Sequence, residues 1–120
     1  MLLKHDIPIP IYDKIVYILI GDAQEVQDYL TDAYSGDFSF DPNTTDAICL
    51  HYDLTNWIWF DPNTVTPSII VHELAHAVFN LMSDIGLDFS DQEAFCYLQE
   101  YLVKECANIF AIRMDPIKQV

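Results

Sequence analysis

Several features that would mark whole classes of protein are scarce in this sequence of 120 residues. Its longest apolar stretches, Ile15 to Ile20 and Ile69 to Val71, fall far short of the roughly 18 to 20 residues that a membrane span needs. The first residues carry Pro8 and Pro10 in place of the apolar run of a secretory signal. We therefore expect no membrane span and a cytoplasmic protein.

Cysteine is also scarce, and its spacing excludes two kinds of site. Cys49, Cys96 and Cys106 make an odd number, and no C-x-x-C pair exists for a thiolate zinc ribbon. Cys96 and Cys106 lie ten positions apart on a predicted helix, a rise of about 15 Å, whereas a disulfide holds its Cα atoms within about 7 Å. We expect reduced thiols in the core, in agreement with a cytoplasmic setting.

Basic residues are the third scarcity. Five Lys and Arg stand against 19 Asp and Glu, a formal net charge of −14. This is the wrong sign for gripping a phosphate backbone, so nucleic acid is not an expected partner. The acids are scattered, as on a solvated surface. With 52% hydrophobic residues, the chain has enough apolar side chains for one core, and we predict a single domain over residues 1–120.

What is present is an alternation of strand and helix patterns, in the order strand, helix, hairpin, helix, helix. Asp22 with Glu25 is a typical helix start, as is Thr66 followed by Pro67. The predicted elements are a buried strand at Lys14 to Gly21, a helix from Asp22 to about Ser35, turns at Phe38 to Thr45, a hairpin of Ala47 to Tyr52 and Asn56 to Phe60, a helix from Thr66 to about Asp84, and a long helix from Ser90 to Arg113. This order predicts an α+β fold.

The most informative motif lies in the most apolar predicted helix. His72-Glu73-Leu74-Ala75-His76 matches H-E-x-x-H, in which the two histidines at i and i+4 face the same way and can bind one zinc ion. Glu73 lies one residue further on and can take a proton from a water on the metal. The alternative is two core histidines with satisfied hydrogen bonds and an exposed Glu73. The cost of burying polar groups disfavours it.

A catalytic zinc usually has three protein ligands, so a third must come from elsewhere in the chain. Our choice is Glu93, because the short connection can return the chain to the metal at the start of the next helix. In the alternative, Glu93 completes a capping box with Ser90 and binds only its backbone N–H. Asp91 is the next candidate ligand, followed by Glu100.

Other polar or aromatic side chains are weaker candidates for supporting roles. Tyr97 and Tyr101 follow Glu93 by four and eight residues, so either could donate a hydrogen bond to an oxyanion, although tyrosines at this spacing are more often in the core. His51, in the hairpin, is an alternative donor. Trp57 and Trp59 are candidates for contact with a partner if exposed, but a role in the core is favoured.

With these residues in view, Val71 to Leu102 resembles the minimal zincin-like metallopeptidases of bacteriophages and, more broadly, the gluzincins. The resemblance rests on HELAHAVF, DIGL and EAFCYLQEYL and covers about a quarter of the chain. It implies a small mixed sheet packed on an active-site helix and a following long helix, with His72, His76 and Glu93 as metal ligands and Glu73 as the catalytic acid. The family pattern has glutamate where this chain has Gln92, which changes the surroundings of the ligand.

The expected function is therefore that of a zinc metallopeptidase with one Zn²⁺ per chain, in the host cytoplasm if the protein is phage-encoded. Its substrate would be a peptide or protein bound along the sheet edge, and a protein partner would complete the short cleft. Two alternatives remain. One is a zincin-fold binding or regulatory module with a structural metal, and the other is a virion-associated or scaffold protein with a vestigial site.

Overall fold

The computed structural model describes residues 1–35 and 46–111, which form a four-stranded mixed sheet and three helices. The elements are β1 Leu3–Ile9, β2 Lys14–Ile20, α1 Ala23–Tyr34, β3 Ala47–Tyr52, β4 Thr55–Phe60, α2 Pro67–Asp84 and α3 Gln92–Ile109. The predicted α+β class is confirmed. The turns predicted at Phe38 to Thr45 lie outside the described residues. The long helix was predicted to reach Arg113, but α3 ends at Ile109, where Phe110 is its C-cap.

The sheet has the strand order β1-β2-β4-β3, so β1 and β3 are its two edges. β1 pairs with β2 and β3 pairs with β4 in antiparallel fashion, whereas β2 and β4 are parallel, with Ile18 opposite Ile58. The predicted hairpin is confirmed. Asp53 and Leu54 both have positive φ angles, 54° and 57°, as a tight two-residue turn requires.

Sequence analysis makes no prediction for the segment that forms β1, which contains Pro8 and is followed by Pro10. Pro8 nevertheless pairs in register with Ile15 of β2. Proline is tolerated here because β1 is an edge strand, where a missing N–H need not break the ladder. The Tyr101 hydroxyl of α3 donates to the Pro8 carbonyl and ties this edge to the helices.

Helices cover both faces of the sheet. On one face α1 packs against Leu19, Trp57 and Trp59, and both tryptophans are buried, which confirms their predicted role in the core. Their Nε1 groups donate to the Tyr34 hydroxyl and the Gly21 carbonyl, respectively. On the other face, alternate residues of the same strands, such as Ile18 and Ile58, pack against α2 and α3.

The starts of the helices follow from local capping, and the predicted start of α3 needs a correction. Asp22 and Glu25 form the predicted capping box of α1, and Thr66 caps α2 with Pro67 in its first turn. The N-cap of α3 is Asp91, whose side chain accepts a hydrogen bond from the Ala94 amide at 3.0 Å. The predicted start at Ser90 is therefore one residue too early. Among the described helices none combines the length and apolarity needed to cross a membrane.

The connection between α2 and α3 is short and folds back on α2. Gly86 has a φ angle of 78°, a conformation that favours glycine, and the Leu87 amide donates to the Met82 carbonyl at 2.8 Å. Contacts of Gln99 with Val71 and of Phe95 with Phe79 show that α3 runs antiparallel to α2. This arrangement brings the start of α3 beside the C-terminal part of α2.

All three cysteines are unpaired. Cys106 is buried and Cys49 is half-buried, but Cys96 is exposed, so the prediction of a core position is wrong for Cys96. Cys96 precedes the buried Leu102 by six residues, about 1.7 helical turns, and therefore lies on a different face of α3.

Candidate metal centre

The two histidines of the motif project from the solvent-facing side of α2. They are four residues apart, and their ring centroids are 5.0 Å from each other. The side chain of His72 is 70% exposed, and His76 is exposed as well. Ligand atoms of His72, Glu73 and His76 all lie within 4.8 Å of one another. Two nitrogens on one tetrahedral zinc are about 3.3 Å apart, so a small rotation of exposed side chains would bring them to a shared ion.

Glu73 occupies a different environment from its histidine neighbours. It is 8% exposed, because its side of α2 packs against β3. Its Oε1 atom lies 3.9 Å from His72 Nε2, too far for a hydrogen bond. Its Oε2 atom is buried without a hydrogen-bond partner among the described residues. A buried carboxylate in this condition is costly unless a cation or a proton compensates it.

The surface under α2 is partly polar. The Asn80 side chain donates to Asn56 Oδ1 at 2.9 Å, and Asn56 is 1% exposed. The Cys49 thiol also contacts Asn56 Oδ1, at 3.8 Å. Burial, together with a smaller contribution from the nearby Glu73 charge, raises the pKa of Cys49 to about 12. Cys49 is therefore a neutral thiol beside Glu73, and it has none of the properties of an activated nucleophile.

The structure does not bring Glu93 to the histidines. Glu93 is exposed on α3 and does not belong to the group of ligand atoms within 4.8 Å of one another. It precedes the buried Leu102 by nine residues, about 2.5 helical turns, and so points away from the core. The apolar spacing of α3 carried this signal in the sequence. The prediction that Glu93 is the third ligand gains no support from this geometry.

The other acidic candidates are engaged elsewhere. Asp91 caps α3, and Glu100 forms an exposed ion pair with Lys104 at 3.3 Å. The capping box proposed for Ser90 and Glu93 does not form, because Asp91 takes the cap position. Glu93 is therefore an acidic residue in the first turn of α3, where the helix dipole favours its charge.

The predicted oxyanion donors lie away from the two histidines or have other partners. Tyr101 donates to the Pro8 carbonyl, and Tyr97 is 65% exposed on the side of α3 that faces the β1–β2 turn. His51 Nε2 lies 2.9 Å from Asp84 Oδ2, at the end of α2. Asp84 is eight residues beyond His76, about 12 Å along the helix axis. The three side chains therefore have these partners or surroundings, and their predicted role as oxyanion donors stays a prediction.

Sequence reasoning missed the polar residues that support α2 from below. Asn80 and Asp84 follow Glu73 by seven and eleven residues, so all three share one side of the helix. The Asp84 side chain is only 3% exposed. The spacing of these polar residues within an apolar helix is visible in the sequence. Their partners, His51 on β3 and Asn56 on β4, are not.

The residues fit a divalent cation. The two exposed imidazoles could hold a divalent cation, and an ion there would supply charge near the unpartnered Oε2 of the buried Glu73 carboxylate. Comparison of the chain with protein-family models, curated proteins and solved structures gave no match.

Proposed function

We propose that this chain is a zinc-dependent metallopeptidase in which His72 and His76 hold the metal and Glu73 is the general base. The observation that carries the proposal is the state of Glu73, a nearly buried carboxylate with one unpartnered oxygen, beside two exposed histidines on the same helix. Such a group is expensive for a fold to keep unless chemistry requires it.

The metal ion and Glu73 would have different roles in hydrolysis. A divalent ion at the histidines would supply Lewis acidity toward a carbonyl oxygen and a water molecule. Glu73 is fixed by packing against β3, so its carboxylate can accept a proton from the attacking water and deliver it to the leaving amine.

The substrate would be an extended peptide. β3 is an edge strand of the described sheet and packs against α2, so one edge of the sheet lies near the motif helix. An edge strand binds a peptide by continuing the sheet, which suits hydrolysis of a peptide bond. The unpaired thiols favour a reducing compartment, and we place the activity in the cytoplasm as part of this proposal.

A catalytic zinc at this site would need a third protein ligand. Glu93 remains our candidate from the sequence, and binding would require its side chain to turn toward α2. A second candidate function is a binding module, because Glu93 lies outside the group formed by His72, Glu73 and His76. Two histidines without a third protein ligand would hold an ion but would lack the ligand set of a catalytic zinc.

Metal content tests the site. We expect one zinc per chain in the wild type by elemental analysis, and a loss in His72→Ala and His76→Ala. His5→Ala is the matched control, because His5 lies on β1 at the opposite edge of the sheet from β3. A loss in Glu93→Ala would identify the third ligand. A wild type without metal after zinc is supplied would contradict the proposal.

Glu73→Gln tests catalysis separately from metal binding. In a peptidase, the variant should keep zinc and the fold but lose at least about a hundredfold in hydrolysis of a fluorogenic peptide mixture. The binding module predicts no hydrolysis by the wild type and unchanged partner binding by Glu73→Gln.

A further inference from the structure

Three phenylalanines form an exposed aromatic cluster where α2, its following loop and α3 meet. Phe79 of α2 lies 5.7 Å from Phe89 of the loop and 5.0 Å from Phe95 of α3, measured between ring centroids. Phe79 is 46% exposed and Phe89 is 58% exposed. Two large aromatic rings in contact with each other and half open to water form a contiguous apolar surface of the kind that marks interaction sites.

The aromatic cluster adjoins the two histidines. Phe79 follows His76 by three residues and His72 by seven, so the three side chains lie on one face of α2. Phe95 anchors the cluster, because it packs against the main core. Two hydrogen bonds hold the loop that carries Phe89. The Leu87 amide donates to the Met82 carbonyl, and the Ser90 amide donates to the Asp88 side chain. The surface is therefore preformed.

The charged residues that adjoin the aromatic cluster in the sequence are all acidic. Residues 15–103 contain 15 acidic residues and no lysine or arginine. Asp88 adjoins Phe89 directly, and Asp91 and Glu93 lie between Phe89 and Phe95 in the sequence; all three acids are exposed. A partner must therefore bring positive charge together with an apolar side chain. A second copy of this chain is a poor occupant, because two copies at −14 repel each other.

We propose that the aromatic cluster is the docking site of the substrate, a basic protein segment that places one large apolar side chain on Phe79 and Phe89, beside the histidines. Lysine or arginine residues flanking that side chain would face Asp88, Asp91 and Glu93. The term substrate rests on the proposed function, whereas the docking itself requires no hydrolysis.

The experiment measures docking without catalysis. A fluorescein-labelled peptide Gly-Lys-Lys-Phe-Lys-Lys-Gly is titrated with the full chain in EDTA, and fluorescence anisotropy reports binding. We expect binding to weaken at least about fivefold when the peptide phenylalanine becomes alanine, because apolar contact is lost. A comparable loss is expected when its lysines become glutamates, and higher salt should weaken binding of the original peptide.

Matched variants locate the site on the protein. Phe79→Ala and Phe89→Ala should each weaken binding several-fold, whereas Leu54→Ala removes an exposed apolar residue from the β3–β4 turn and should not. Asp88→Asn should weaken binding, whereas Asp32→Asn on α1, across the sheet, should not. Phe89 lies in a loop, so its variant keeps the test valid if Phe79→Ala fails to fold.

The outcomes separate the docking proposal from the proposed function. Equal binding of the three peptides, or wild-type binding by both phenylalanine variants, would overturn docking even if zinc is bound and peptides are cleaved. Self-association abolished by Phe79→Ala, without peptide binding, would overturn it in favour of a second copy. Selective binding in EDTA by a protein that never binds zinc would leave docking intact and remove the peptidase.

Discussion

Glu73 shows most clearly what a single residue contributes to this protein. A glutamate at its position on α2 is buried between the helix and β3, with His72 Nε2 at 3.9 Å as the nearest cationic candidate. One of its oxygens has no partner among the described residues. Packing alone would be served better by an uncharged side chain. The proposed function therefore rests on this residue more than on any other.

Removal of the Glu73 charge should stabilise the folded protein. In EDTA, Glu73→Gln should raise the free energy of unfolding by about 1 kcal/mol, because a buried uncompensated carboxylate becomes a neutral amide of similar size. Urea denaturation measures the difference. Glu100→Gln is the control, since Glu100 is exposed and paired only with Lys104, and it should change stability by less than about 0.5 kcal/mol. Destabilisation by Glu73→Gln would show that the carboxylate has a partner in solution.

At the scale of the element, α3 shows how adjacent residues of similar chemistry take different roles. Ser90, Asp91 and Glu93 are all residue types that are common at helix starts. In the capping-box alternative of the sequence analysis, Ser90 is the N-cap. The structure selects Asp91, while the Ser90 amide donates to Asp88 at 2.8 Å. The choice depends on where the backbone leaves the loop and enters helical geometry.

The two capping assignments differ in a measurable way. Asp91→Ala should lower the free energy of unfolding by about 1 kcal/mol, because the Ala94 amide loses its acceptor. Ser90→Ala should change it by less than half as much, since the helix cap remains. Thermal unfolding followed by circular dichroism compares the two variants. The reverse order of effects would restore Ser90 as the cap.

At the scale of the whole molecule, burial in the core changes the pKa of a cysteine thiol. Burial raises the pKa of Cys106 from 9.0 to about 12, with a smaller contribution from Glu105. The folded state therefore holds this proton more tightly than the unfolded state. The stabilisation is fully present below about pH 9 and is lost as the pH rises from about 9 toward 12.

The pH dependence of unfolding tests this effect with a pair of cysteines on one helix. Between about pH 9.5 and 11, stability should fall less steeply in Cys106→Ala than in the wild type, by up to about 1 kcal/mol per pH unit. Cys96→Ala should keep the wild-type slope, because Cys96 is exposed. Urea unfolding at several pH values measures both slopes, and equal slopes in the two variants would contradict the burial of the Cys106 thiol.

The sequence by itself determined the features that depend on neighbours a few residues away. The apolar spacing and the caps Asp22 and Thr66 predict α1 and α2, and the i, i+4 rule places His72 and His76 on one face. The apolar positions Leu98 and Leu102 also define the outward direction of Glu93, although sequence analysis gave more weight to the need for a third ligand.

Only the tertiary structure decided which distant residues meet. Asn56 reaches Asn80, His51 reaches Asp84, and Pro8 pairs in an edge strand, because strand order and helix packing place these segments side by side. The burial of Glu73 is of the same kind, since it requires β3 to lie along α2. Local patterns fix the direction of a side chain on its own element, but its partners depend on contacts between segments that no short-range pattern encodes.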